Sequence, residues 1–322
     1  MNGIFHIALC LVVIALTGGD SSEEWERCSL GPCECIESRL RVRCWDVHIN
    51  DILLWQYFPQ DIEDLVLRNN SISKLPQNFF VDRNLQGLQI LKLRQNPLTE
   101  IESSDFVGVP DVKDFTIRRS DLPELPGDLL KEMPQLELVT LQQNQLLKTL
   151  PENLYEGLNN LVSLRFYDNE GLLEIPQALF SGPAQVGNAV VMRGSRGISD
   201  EGFPDDIFHS SPSMRSLSLE NVGLTSVRKG LLGNHTVPRT WVSFTFGWDI
   251  QSIEPGAFDG MTGMYRLDLS WCDLSLEGIP DDLFVHVARE DNPLTVYMDN
   301  NPRLTEEPVA CKVPHVTCIV GL

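Results

Sequence analysis

The chain has 322 residues, 42% of them hydrophobic, and a formal charge of -20 at pH 7 with an isoelectric point near 4.6. That apolar content can bury a substantial interior, which excludes a chain disordered throughout. The excess of acids over bases, 45 to 25, excludes generic attraction to nucleic acid or to anionic membrane.

At the amino end, Ile4 to Thr17 form an apolar run, followed by Gly18, Gly19 and the polar stretch Asp20 to Glu24. The run is too short to span a membrane and predicts a signal peptide over residues 1–19, with which Cys10 leaves. No later window holds roughly 18 apolar residues in a row. Cys311 to Leu322 also lack the apolar tail of a lipid-anchor signal, so a secreted protein without membrane insertion is expected in the extracellular space. Within residues 20–50, Cys28, Cys33, Cys35 and Cys44 cluster. Four close cysteines admit a zinc site or a pair of disulfides, and secretion favours disulfides.

Residues 51–305 repeat the pattern L-x-L-x-x-N-x-L about ten times. Leu65 to Ile72 opens the series, Leu91 to Leu98 repeats it with Asn96 in the key place, and Val139 to Leu146 with Asn144. Leu164, Phe166 and Asn169 continue it, and Val296, Met298 and Asn301 close it. The units advance by roughly 23 to 29 residues, a solenoid period. Their second halves carry apolar–proline pairs, such as Leu75-Pro76, Leu150-Pro151 and Ile279-Pro280, which suit a return path without a ladder of its own. An Asn after each strand can both donate to and accept from the backbone of neighbouring turns, which a buried turn requires. Ser120, Ser195, Asp249 and Cys272 fill that slot less completely, and Val222 not at all, which predicts local irregularity at the seventh unit. Cys272 reads as a buried, unpaired structural thiol.

This pattern resembles the extracellular leucine-rich-repeat family with a cysteine-rich amino-terminal cap, from about Cys28 to Leu304. The resemblance implies an α/β solenoid, a right-handed curved coil with a parallel concave sheet and a mostly irregular or short-helical convex side. It implies binding through the concave face, and cap pairs Cys28 to Cys35 and Cys33 to Cys44. The family's usual cysteine-rich carboxyl cap is absent, and residues 306–322 keep only Cys311 and Cys318, which could close a short loop. A weaker similarity runs to secreted invertebrate repeat proteins such as the non-catalytic subunit of shrimp luciferase. It implies an alternative role as an accessory subunit that stabilises a secreted enzyme.

Because strand side chains alternate, the residue after the second strand leucine faces the concave surface. Those residues are Arg68, Arg94, Arg118, Gln142, Tyr167 and Arg193, then Glu220, Gly247, Ser270 and Asp299, with Lys92, Arg119 and Arg165 beside them. The cations read either as a stripe that grips carboxylates, sulfates or phosphates, or as a solvated face balanced by Glu63, Asp64, Asp114, Glu137 and Asp168. The expected partner is an extracellular protein with an acidic patch, with an anionic glycan as second candidate. Trp248 and Trp271, in equivalent places of adjacent units with Tyr265 and Tyr297 nearby, form a second candidate patch. Their other reading is packing over the strand edge. Asn69-Asn70-Ser71 and Asn234-His235-Thr236 predict glycosylation at Asn234 and Asn69.

The chain has no H-E-x-x-H, G-x-S-x-G, phosphate-loop or dinucleotide motif, and its six histidines are scattered. No enzyme activity, metal or cofactor is expected. The sequence reads as a secreted, non-enzymatic binding protein of a recognition, adhesion or innate-immune type.

Overall fold

The computed structural model describes residues 26–27, 31–36, 40–48, 50, 52, 61–180, 189–208, 215–232 and 243–321. The predicted signal peptide, Cys28 and Asn234 lie outside these residues.

Alternating apolar and polar residues write a series of short strands. β1 (Glu26–Arg27), β2 (Glu34–Ile36) and β3 (Arg41–Trp45) open the fold. The repeats then supply β4 (Asp64–Arg68), β5 (Ile90–Arg94), β6 (Asp114–Arg118), β7 (Leu138–Gln142), β8 (Ser163–Tyr167), β9 (Ala189–Arg193) and β10 (Ser216–Glu220). Next come β11 (Ser226–Val227), β12 (Ser243–Gly247), β13 (Ser252–Ile253), β14 (Arg266–Asp268), β15 (Leu294–Tyr297) and β16 (Val316–Ile319). Fourteen of them form one sheet in chain order, from which only β11 and β13 are missing; those two pair with each other on the return path. β1, β2 and β3 pair antiparallel, and every later neighbour is parallel.

In each repeat strand the two key apolar residues point inward and are buried, as Leu65 and Leu67, Leu91 and Leu93, and Leu217 and Leu219 are. The parallel register stacks like on like: Leu65 beside Leu91, Leu91 beside Phe115, Phe115 beside Val139. The return paths add buried aromatics that pack on one another and, through Phe115 of β6, on the strand row. Phe79, Phe80, Phe106 and Phe115 follow one another at centroid distances of 5.1, 6.1 and 5.1 Å, and Phe180 meets Phe208 at 4.9 Å. Such pairs contribute about 0.5 to 1.5 kcal/mol each beyond the area they bury. Apart from irregular chain, the returns hold short 3-10 turns such as Ser103–Phe106 and Leu276–Gly278, so the convex side is irregular to short-helical as expected.

Both ends are tied. A disulfide joins Cys33, next to β2, to Cys44 in β3, and Cys35 is also disulfide-bonded. At the carboxyl end, where the sequence reading assigned only a short looped segment, the chain adds β16 parallel to β15. The Cys311–Cys318 disulfide closes onto that strand. An extra strand covers the edge of β15.

The asparagine slots form a ladder between coils. Asn70, Asn96, Asn144, Asn169 and Asn301 each accept a backbone N–H from the preceding unit on Oδ1, from Val47, Asn70, Ser120, Asn144 and Leu274. Each donates from Nδ2 to the carbonyl of the second core residue of the preceding unit, Cys44, Leu67, Ile117, Leu141 and Leu269. The ladder fails where the sequence loses its amides. Ser195 Oγ and Asp249 Oδ2 are buried with no hydrogen-bond partner, and Val222 between them is simply apolar and buried. The predicted irregularity is therefore confined to the turn row. β9, β10 and β12 keep full five-residue registers across it, because buried Val190, Leu217 and Phe244 hold the strands.

Cys272 is free and buried, its Sγ 3.9 Å from the Ser270 carbonyl. Burial, with Asp268 nearby, pushes its thiol pKa up to about 12. The folded protein then holds almost no thiolate at pH 8. We expect Cys272 to resist iodoacetamide in the native state and to alkylate at an ordinary thiol rate in urea, as read by intact-mass spectrometry. Native alkylation within minutes would show the slot to be open. The raised pKa favours folding below the unfolded thiol's pKa, and that contribution is lost as pH rises through about 12.

Candidate functional site

The outer face of the sheet presents three rows of side chains, one residue per strand in each. The last row runs Trp45, Arg68, Arg94, Arg118, Gln142, Tyr167, Arg193 and Glu220 in register. Neighbouring strands lie about 4.8 Å apart, so Arg68, Arg94 and Arg118 stand shoulder to shoulder, and like charges so placed repel. Arg119 joins them from the turn that follows β6, where its φ is 55°.

What braces these arginines is neutral. The Arg68 Nε donates to Gln95 Oε1, and Gln143 Oε1 accepts from Arg118 Nε at 3.1 Å and Arg119 Nε at 2.8 Å. The Arg94 Nε between them is buried without a hydrogen-bond partner. Arg68 also lies over the exposed Trp45 ring, 4.3 Å from its centroid, which ends the ridge with an aromatic face. Burial and the charges of Arg119, Arg94 and Arg68 pull the Arg118 pKa down, and Asp168 opposes them.

Of the carboxylates expected to balance this face, two are held by other cations, and Asp168 acts on Arg118 through its charge without an ion pair among the described residues. Asp114 holds Lys92 at 3.1 Å, Asp64 holds Arg41 at 3.3 Å, and Glu220 reaches Arg193 at 3.7 Å. The structure thus gathers Arg68, Arg94, Arg118 and Arg119 into one ridge. It sets Lys92 and Arg193 in ion pairs, Arg165 in the middle row of β8, and Tyr167 beyond Gln142. Sequence reasoning missed Trp45, Gln95 and Gln143. Collecting the row one place further on, Asn69, Gln95, Arg119 and Gln143, would have found the two glutamines.

Trp248 and Trp271 do not fold over the strand edge. They are 53% and 56% exposed and stack on each other, with ring centroids 5.8 Å apart. Tyr297 lies near them, whereas Tyr265 stands at the opposite end of β14. Asn69 sits in the turn after Arg68 with its amide donating to Asp46. Among the described residues no group of three His, Cys, Asp or Glu is placed to hold a metal ion.

Residues 61–122 match the family described as leucine rich repeat. The fold is that of a leucine-rich-repeat solenoid. Its repeats are 26% identical to keratocan of Coturnix japonica over 52% of the chain and 39% of that protein. They are 30% identical to Tsukushi of Gallus gallus over 37% of the chain and 31% of that protein. Podocan-like protein 1 of Homo sapiens is 25% identical over 68% of the chain and 40% of its own length. The chain thus spans about two fifths or less of the relatives it matches. Among solved structures, it overlays the leucine-rich repeat domain of the type III effector XopL with a TM-score of 0.56 and 20% identity. That match covers 74% of this chain and 80% of that one. A chain of the octameric complex of Latrophilin 3, Unc5D and FLRT2 gives 0.59 and 16%, over 81% and 76%. Both likenesses concern the fold.

Proposed function

We propose that this leucine-rich-repeat solenoid is a secreted, non-enzymatic binding protein that engages a protein partner through the outer face of its sheet. The ridge of Arg68, Arg94, Arg118 and Arg119 grips an acidic patch on that partner. One observation carries the reading: Arg68, Arg118 and Arg119 are braced by glutamine oxygens, and none of the four arginines makes an ion pair with a carboxylate among the described residues. An array that repels itself stabilises nothing in the fold, but it is ready-made for bidentate pairing with carboxylates. The ridge is also local. At physiological salt the Debye length is about 8 Å, so the protein's net negative charge is largely screened at contact. Secretion is supported by the disulfides at both ends, which persist in oxidising compartments. Among the described residues no helix is long and apolar enough to cross a membrane. Glycans on Asn234 and Asn69 belong to the same proposal, the second bordering Arg68.

The test is capture from the native extracellular fluid or tissue by proximity labelling, with Arg94→Glu combined with Arg118→Glu as control. A protein enriched by the wild type and not by the variant is the expected result. Loss of labelling on adding heparin, with no protein enriched, would instead assign the ridge to a sulfated glycan. A stoichiometric enzyme among the captured proteins would make the chain an accessory subunit. Equal labelling by both forms would leave the ridge without a partner.

A further inference from the structure

The far end of the same face carries the opposite chemistry. In the last row, where β4 to β9 hold arginine, glutamine or tyrosine, β12 ends on Gly247 and β14 is followed by Ser270, and a cleft of 430 Å³ opens over them. Trp248, Trp271 and Tyr297 line it together with the carboxylates of Glu220, Asp268 and Asp299. Asp268 is paired with Arg266 at 3.0 Å and Glu220 with Arg193 at 3.7 Å, while Asp299 has no ion pair among the described residues. No lysine or arginine lines the cleft itself.

The two tryptophans sit where the backbone makes a left-handed turn, at φ 64° and 60°. Other units place Asn69, Gln95, Arg119, Gln143, Asp168, Gly194, Asn221 or Asn300 in that turn. A bulky side chain is a poor choice there, since the left-handed region favours glycine and asparagine. Nor do the indoles join the core, being more than half exposed and stacked only on each other. Folding therefore does not account for them. Their stacking fixes a broad aromatic wall beside three carboxylates.

We infer that this cleft takes the guanidinium or ammonium head of a basic side chain on a protein partner. The indole faces attract the cation through their ring quadrupoles, and the carboxylates accept its N–H groups. The unpaired Asp299 beside the indole wall is the complement such a group needs, with Asp268 and Glu220 already held by Arg266 and Arg193 from outside the cleft lining. The cleft lies five strand spacings from Arg118, about 24 Å. That is well beyond the Debye length of about 8 Å, so it works independently of the arginine ridge.

The experiment is a ligand-observed NMR titration of the full chain with N-acetyl-arginine amide, set against its neutral isostere N-acetyl-citrulline amide. Saturable binding of the arginine amide is expected, at least tenfold tighter than the citrulline amide. Gly247→Gln should weaken it at least tenfold by filling the cleft. A Cβ at 247 meets nothing nearer than 3.8 Å, so that variant folds. Trp248→Asn with Trp271→Asn should abolish binding while leaving thermal stability equal or higher, which a merely structural role for the indoles would not allow. The Arg94→Glu, Arg118→Glu form should bind the amide unchanged. The inference is overturned by equal binding of the two amides, by no saturable binding of either, or by indifference to Gly247→Gln. Saturable binding of a neutral oligosaccharide in place of the arginine amide overturns it equally, in favour of a sugar platform.

Discussion

Arg94→Glu combined with Arg118→Glu should lower affinity for the captured partner at least a hundredfold, which is about 2.7 kcal/mol. The change replaces two cations by two anions at the centre of the ridge, so an acidic patch that was gripped becomes repelled. Salt dependence gives a second reading of the same claim. Wild-type binding should weaken steeply as salt rises, whereas residual binding by the variant should be nearly flat or should improve. The fold should not suffer. The substitutions remove mutual repulsion among Arg68, Arg94, Arg118 and Arg119 and place carboxylates beside the two cations that remain, so the thermal midpoint should stay level or rise. A drop of many degrees would mean the arginines hold the sheet together, and unaltered affinity at a level midpoint would sink the ridge.

How much of this was legible in the sequence follows from what each feature depends on. The coil was legible because Leu65, Leu91, Phe115 and their successors recur at one period, and a parallel register stacks equal positions without further information. The break at Val222 was legible for the same reason, since a valine cannot supply the two hydrogen bonds that an amide supplies. That it left β9, β10 and β12 intact was not, because strand pairing there depends on the buried rows rather than on the turn. The stripe of cations was visible, but its division was not. Whether Lys92 is neutralised and Arg94 is left bare turns on which side chains reach across strands, Asp114 to Lys92 in one case and none to the Arg94 Nε in the other. β16 was illegible because a single strand at a chain end has no repeat to announce it. The tryptophans' stacking depends on two turns adopting the same left-handed geometry in adjacent coils.

The ladder carries the largest expected effect on stability, and it contains its own control. In Asn144→Ala, three buried groups lose their partner at once: the Ser120 N–H at 3.0 Å, the Ser120 hydroxyl at 2.8 Å and the Ile117 carbonyl at 3.2 Å. Each buried group left unpaired costs about 1 to 3 kcal/mol, and some relaxation of the turn will recover part of that. A net loss of roughly 3 to 5 kcal/mol is expected, read as a lower urea midpoint with an unchanged slope. Ser195→Ala alters the same slot two units later, at a site equally buried. There the hydroxyl has no partner to lose, so the change should be within about 0.5 kcal/mol of neutral, or slightly stabilising. Since both sites are buried turns of one solenoid, burial alone predicts similar effects, and the hydrogen bonds alone predict the difference. Hydrogen exchange localises it: the Ser120 amide should lose its protection in Asn144→Ala, while amides around Ser195 should exchange alike in the wild type and in Ser195→Ala. Comparable destabilisation by the two substitutions would show that the slot is held by packing and not by its amides.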